Sequence, residues 1–162
     1  MPEHDSAAAQ WALFFHLVGA FSLVGGAIVA AVAFERARRR ERPGEVAALL
    51  GVARTGVLFV GVGSALVLGF GLWLVHLHGY GYGAGWVDAA LALFAVAMAL
   101  GAAGGRPAKR ARLLAERLAR EGDAGSPELR ALLADPLARA ANYGSGAAVL
   151  AILVLMVWRP GG

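Results

Sequence analysis

Residues 11–34 read WALFFHLVGAFSLVGGAIVAAVAF, an apolar run that ends where Glu35 begins a charged segment. About 20 helical residues, each rising 1.5 Å, cross the hydrocarbon core of a bilayer, so this run is long enough for one transmembrane helix. Three more apolar runs follow, at about 55–77, 86–104 and 143–158. The pair Asp135-Pro136 is typical of a helix N-cap with proline at the first helical position, so the fourth span is expected at about 136–158.

The composition agrees with a small membrane protein. Hydrophobic residues make up 59% of the chain and charged residues 16%, which is more apolar than a soluble domain of this length. The absence of cysteine excludes disulfides, thiolate metal sites and cysteine nucleophiles. The basic residues flank apolar spans, which indicates membrane topology and no nucleic-acid partner. We therefore predict an all-α integral membrane four-helix bundle, forming one domain over residues 1–162, with the lipid bilayer as its main partner.

The distribution of positive charge predicts the orientation. Of the 15 Lys and Arg residues, six lie between Arg36 and Arg54 and eight between Arg106 and Arg139. The positive-inside rule then places loops 35–54 and 105–135 in the cytoplasm and both termini outside, in a bacterial inner membrane. Aromatic residues that favour interfaces are expected at the outer surface: Trp11, Trp73, Tyr80, Tyr82, Trp86 and Trp158.

The second basic loop has helical patterns of its own. Lys109 to Glu121 carries i,i+4 pairs of opposite charge: Arg112 with Glu116, Glu116 with Arg120, and Arg117 with Glu121. Ser126 is the expected N-cap of a second short helix. The loop is interpreted either as a solvated connector or as a basic helix that lies on anionic lipid or docks a partner.

Small residues predict where the spans pack, because helix association in lipid depends on close backbone approach. In the second span, Gly61, Ala65 and Gly69 recur every four residues, and this stripe is expected to face another helix. His76 lies on nearly the same face. The first span has a comparable stripe, formed by His16, Gly19, Leu23, Gly26 and Ala30.

The histidines are the candidate functional residues. An ionisable group inside a span is costly and is a functional-site hypothesis by default. His16 and His76 are expected at similar depth near the outer surface, where they would bind haem b. Copper is the alternative, with His16, His76, His78 and Met156 as its ligands, since imidazole and thioether suit this metal. The second ring nitrogen needs an acceptor, for which Ser22, Asp88 or a backbone carbonyl would serve.

Other interpretations stay open beside this one. His16 can be a neutral histidine hydrogen-bonded between helices, and His76 and His78 can be interface residues. The protein would then be a cofactor-free structural or accessory subunit, packed against another membrane subunit or against its own copies. No catalytic residues are predicted, because no carboxylate pair lies in the membrane and neither Ser22 nor Ser64 has an evident base.

Several segments resemble known families. The opening FFHLVGAFSLVGGAIV, the start of the second span near RTGVLFVGVGSAL, and the ending LAILVLMVWRPG look like predicted bacterial four-span membrane proteins of unknown function. They are similar to the copper-resistance D (CopD) family and, more remotely, to HemJ-type protoporphyrinogen oxidases. The resemblance implies a four-helix membrane domain with His16 as a haem or metal ligand, and the similarity to CopD implies copper handling. From the histidines we expect a role in electron transfer or metal handling. HemJ-type proteins also use a lysine inside the bundle. The only lysine here, Lys109, lies in the basic loop, which weighs against the oxidase activity.

Overall fold

The computed structural model describes residues 3–77 and 85–158, with side chains from residue 7 onward. This part of the chain is helical and contains no strand. Four stretches of it are long and apolar enough to cross a membrane, which confirms the predicted all-α membrane fold. The helices are α1 (Glu3–Ala37), α2 (Pro43–Leu77), α3 (Gly85–Arg120), α4 (Pro127–Ala134) and α5 (Pro136–Trp158).

The long helices form two hairpins that lie side by side. The most extensive packing is between α1 and α2, followed by α3 with α5, and α2 then joins the hairpins through α3. We call the end that carries residues 36–54 and 106–139 the basic end. The opposite end, which carries the tryptophans Trp11, Trp73, Trp86 and Trp158, is the aromatic end.

Glycines hold α1 and α2 together at backbone distance. A Cβ atom added to Gly26 would lie 2.5 Å from the carbonyl oxygen of Gly56, and one added to Gly63 would lie 2.5 Å from the backbone nitrogen of Leu23. A Cβ on Gly19 would meet the Cβ of Leu66 at 2.7 Å. The stripe predicted on the first span is therefore confirmed as a helix-packing face.

Within the described part of this chain, the stripe predicted on the second span does not face another helix. Gly61, Ala65 and Gly69 are exposed, and a Cβ atom at Gly61 or Gly69 would meet nothing within 4 Å. The glycines of α2 that pack on α1 are Gly56 and Gly63, which are seven residues apart, as are Gly19 and Gly26 on α1. A seven-residue repeat keeps the same faces of two helices in contact over several turns.

The amphipathic segment Lys109 to Glu121 is helical, as predicted. It does not form a helix separate from the third span, because α3 continues through it to Arg120. Pro107 lies inside this helix. A proline removes a single backbone hydrogen bond, and packing can hold the helix together across it. Gly104 supplies such packing, because it lies against Asn142 and the carbonyl oxygen of Ala138 on α5.

The larger of the two buried apolar clusters among the described residues lies at the basic end. With 35 residues, α2 is about 50 Å long, so it extends well beyond a hydrocarbon core of about 30 Å. The ends of α1, α2 and α3 meet α4 there and bury an apolar cluster, which we call the basic-end core. Its members are Ala37, Val46, Leu50, Ala111, Ala115, Leu129 and Leu133.

Polar contacts fix the connections around this core. Asp135 caps α5 as predicted, since its Oδ1 accepts hydrogen bonds from the amides of Leu137 at 2.9 Å and Ala138 at 3.2 Å. Ser126 is the N-cap residue of α4, although its side chain makes no capping hydrogen bond. At the start of α2, the amide of Gly44 donates to Oδ1 of Asp123 at 2.7 Å. This last contact joins α2 to the turn after α3.

Two of the three predicted ion pairs on α3 are formed. Arg112 pairs with Glu116, and Nε of Arg117 donates to Glu121 at 2.8 Å. The hydrogen bond to Glu121 raises the pKa of the Arg117 guanidinium. The Arg117–Glu121 pair is exposed, and an exposed pair contributes little to stability. The buried leucines of α4 are expected to contribute more.

Candidate functional site

His16 is held between α1 and α2 by a hydrogen bond across the helices. Its Nδ1 lies 3.1 Å from the carbonyl oxygen of Val67. A carbonyl only accepts, so Nδ1 donates in this contact, and in the tautomer with its only proton on Nδ1 the Nε2 lone pair is free. The ring packs against α2 at Gly71, because a Cβ added there would be 3.1 Å from both Cε1 and Nδ1. The side chain is half-buried.

The structure does not bring His76 to His16. His76 is exposed near the end of α2. It follows Gly71, which touches His16, by five residues, so it lies about 140° around the helix and about 7 Å further along the axis. The two imidazoles therefore lie on different sides of α2, and a clamp made of both rings is not formed within the described part of one chain.

The other predicted ligands are also spread over the aromatic end. Met156 is half-buried against Val75, Trp86 and Val87. Val75 lies one helical turn beyond Gly71 on the same side of α2, which makes Met156 the predicted ligand nearest to the His16 side of the helix. His78 lies outside the described residues. Within residues 7–77 and 85–158, no group of three or more His, Asp or Glu side chains could hold a metal ion.

Of the three acceptors predicted for the second ring nitrogen, the structure uses a backbone carbonyl. Ser22 instead donates to the carbonyl oxygen of Phe59 at 3.0 Å, and Asp88 is exposed. Ser64 contacts the sulfur of Met98 at 3.5 Å. Each hydroxyl thus has a partner on a neighbouring helix. Polar contacts of this kind help helices to associate in a membrane.

Two hollows at the basic end were missed by sequence reasoning. One, of about 390 Å³, lies between α1 and α5 and is lined by Ala31, Val32, Glu35, Arg36, Arg39 and Tyr143. The other, of about 400 Å³, lies between the end of α1 and α4 and includes Arg38, Arg40 and Arg130. The run of arginines at 38–40 signalled a charged surface, but nothing in the sequence placed Tyr143 or Arg130 beside it.

These features define an all-α integral membrane protein with four candidate spans and a folded basic end. Residues 11–160 match the family described as predicted integral membrane protein (DUF2269), so the chain belongs to that family. No curated protein and no solved structure matches it. The family supports the resemblance to membrane proteins of unknown function, whereas similarity to the CopD and HemJ-type proteins stays a prediction.

Proposed function

We propose that this protein is an accessory subunit of the bacterial inner membrane that joins a larger membrane complex through its helices. The single observation that carries the proposal is the distribution of packing. The chain buries a compact core at its basic end. By contrast, at most 22% of the residues in the apolar part of each candidate span are buried inside the chain. By the positive-inside rule the basic end belongs in the cytoplasm.

The surface for the partner is the exposed small-residue stripe of α2, Gly61, Ala65 and Gly69. A helix of another subunit can approach the backbone closely along such a stripe, which is how helices associate where lipid supplies no hydrophobic drive. Within the chain, α1 packs at backbone distance against two other glycines of α2, Gly56 and Gly63. The partner is a second membrane protein or another copy of this chain.

Photocrosslinking from a single cysteine tests this proposal, because the natural chain has no cysteine. Ala65→Cys, labelled with a thiol-directed photocrosslinker in native membranes, is expected to give one discrete adduct. Phe21→Cys is the matched control, since Phe21 is 79% exposed on α1, away from the stripe. An adduct of twice the chain mass identifies a homo-oligomer, and another mass identifies a different subunit. Only lipid adducts from both positions would contradict the proposal.

A cofactor site at His16 is the second candidate function. A ligating histidine commonly donates its other ring N–H to a backbone carbonyl, and the contact from Nδ1 to Val67 has this form. Bound haem b would supply electron transfer; copper, favoured by the CopD resemblance, would imply metal handling. His16 fits one coordination position. His76 does not complete a pair in the same chain, so the second ligand would be Met156 or a group from a partner.

An optical spectrum distinguishes the two candidates. Detergent-purified protein is measured oxidised and dithionite-reduced, with metal analysis of the same sample. A Soret band that shifts on reduction and is lost in His16→Ala, but kept in the control His76→Ala, would support haem at His16. A featureless spectrum with stoichiometric copper would support metal handling. Protein with neither, expressed with both available, would contradict the cofactor site.

A further inference from the structure

We infer that the hollow between α1 and α5 at the basic end binds one anionic phospholipid, with its phosphate held by Arg36 and Arg39. We call this feature the α1/α5 hollow; its lining includes two arginines, a tyrosine and the apolar residues Ala31 and Val32. This inference goes beyond the accessory role and does not depend on it, because it needs only that the spans lie in a bilayer.

The depth of the hollow suits a lipid headgroup. Ala31 follows Trp11, a residue of the aromatic end, by 20 positions, or about 30 Å of helix, which is the thickness of the hydrocarbon core. Arg36 lies on the order of 7 Å further out, at the level of the phosphates. On α5, Tyr143 lies deeper in the bilayer than Ala31 and Arg36. At such a depth an amphipathic tyrosine directs its hydroxyl towards the headgroups.

The charges of the hollow match a phosphate. Glu35 is its only acidic lining residue. That carboxylate is already engaged, with Oε1 3.2 Å from Arg39 and Oε2 3.4 Å from Arg38. Among the described residues no carboxylate pairs with Arg36, and its side chain is exposed. Arginine forms bidentate hydrogen bonds with phosphate oxygens, so Arg36 is the primary contact and Arg39 the second.

The shape of the hollow also suits a lipid. Because α1 and α5 belong to different hairpins and are not among the closely packed helix pairs, the space between them can accept an acyl chain along Val32. The second hollow shares Glu35 and Arg39 with it, and its lining also includes Glu41 and three further arginines, Arg38, Arg40 and Arg130. A phospholipid with two phosphates is therefore expected to bind more tightly than one with a single phosphate.

Native mass spectrometry of the full chain with added lipid tests the inference. Cardiolipin and phosphatidylglycerol are the anionic probes, and phosphatidylcholine is the zwitterionic control. The double variant Arg36→Gln/Arg39→Gln is expected to lose affinity for phosphatidylglycerol on the order of 30-fold, since each arginine near an anionic surface contributes about fivefold. Tyr143→Phe is expected to lose less, because it removes a single hydrogen bond.

The matched control is Arg54→Gln/Arg106→Gln. Both arginines are exposed at the basic end and neither lines the α1/α5 hollow. Affinity within about threefold of the natural chain in this control, with circular dichroism unchanged in both double variants, supports a specific site. An equal loss in both double variants, or equal binding of phosphatidylcholine, would show only a general attraction to a basic surface and would overturn the inference.

Discussion

The backbone amide of Gly44 at the start of α2 donates a hydrogen bond of 2.7 Å to Oδ1 of Asp123, 79 residues later in the chain. Asp123 has a φ of 60°, and Gly122 before it has a φ of 119°. The turn after α3 therefore adopts the left-handed conformation that ends helices and at the same time caps the first turn of α2. One short turn thus links the two hairpins at the basic end.

Asp123→Ala is expected to destabilise the protein by about 1–2 kcal/mol. It removes a capping oxygen, worth about 1 kcal/mol, and places alanine in a left-handed conformation that costs about as much again. Thermal unfolding in detergent, followed by circular dichroism, measures the loss. Asp123→Asn keeps an acceptor and tolerates this backbone, so its loss is expected to be smaller. Glu41→Ala, at an exposed position nearby, is the control; an equal loss there would contradict the capping role.

Gly63→Ala is expected to destabilise the α1–α2 hairpin by about 1–3 kcal/mol, the usual cost of overpacking. Its new methyl group would lie 2.5 Å from a backbone nitrogen of α1, and backbone does not move aside as a flexible side chain does. Gly51→Ala is the same substitution in the same helix, but its new methyl group meets nothing within 4 Å, so it is expected to be neutral or slightly stabilising. Unfolding by denaturant in detergent compares the two. Equal effects would mean that the hairpin does not pack through Gly63.

Leu129→Ala is expected to open the basic end without unfolding the spans. Leu129 is 3% exposed in the basic-end core, and truncation of a buried leucine costs about 2–5 kcal/mol. Hydrogen exchange of residues 127–134 should accelerate strongly, while the central turns of α1 and α2 stay protected. Leu137→Ala, at a position 79% exposed, is the control and should change nothing. Unchanged exchange in Leu129→Ala would show that α4 does not depend on this core.

Single cysteines test the orientation that the charge distribution predicts. Gln10→Cys on α1 and Ala124→Cys in the turn after α3 both lie at exposed positions. With the basic end in the cytoplasm, a membrane-impermeant maleimide should label Gln10→Cys in spheroplasts and Ala124→Cys only after the membrane is opened. The reverse pattern would invert the topology and move His16 to the cytoplasmic half of the bilayer.

Sequence reasoning predicted the features that depend on local composition. Apolar runs of sufficient length indicated the four spans, because every backbone polar group in lipid must be paired within a helix. The dipeptide Asp135-Pro136 indicated the start of α5, since a cap uses atoms only two or three residues away. The predicted stripe of the first span includes Gly19 and Gly26, and both pack on α2.

The tertiary structure decided what depends on partners distant in the chain. The second span has glycines on more than one side, so only the position of α1 selected Gly56 and Gly63 and left Gly61 and Gly69 exposed. The contact of His16 with Val67 and the separation of His76 from it likewise follow from helix rotation and pairing. The same is true of the hollow that Arg36 and Tyr143 line together. Hydropathy sets how deep a residue lies in the membrane, but the direction in which its side chain points depends on which helices pack around it.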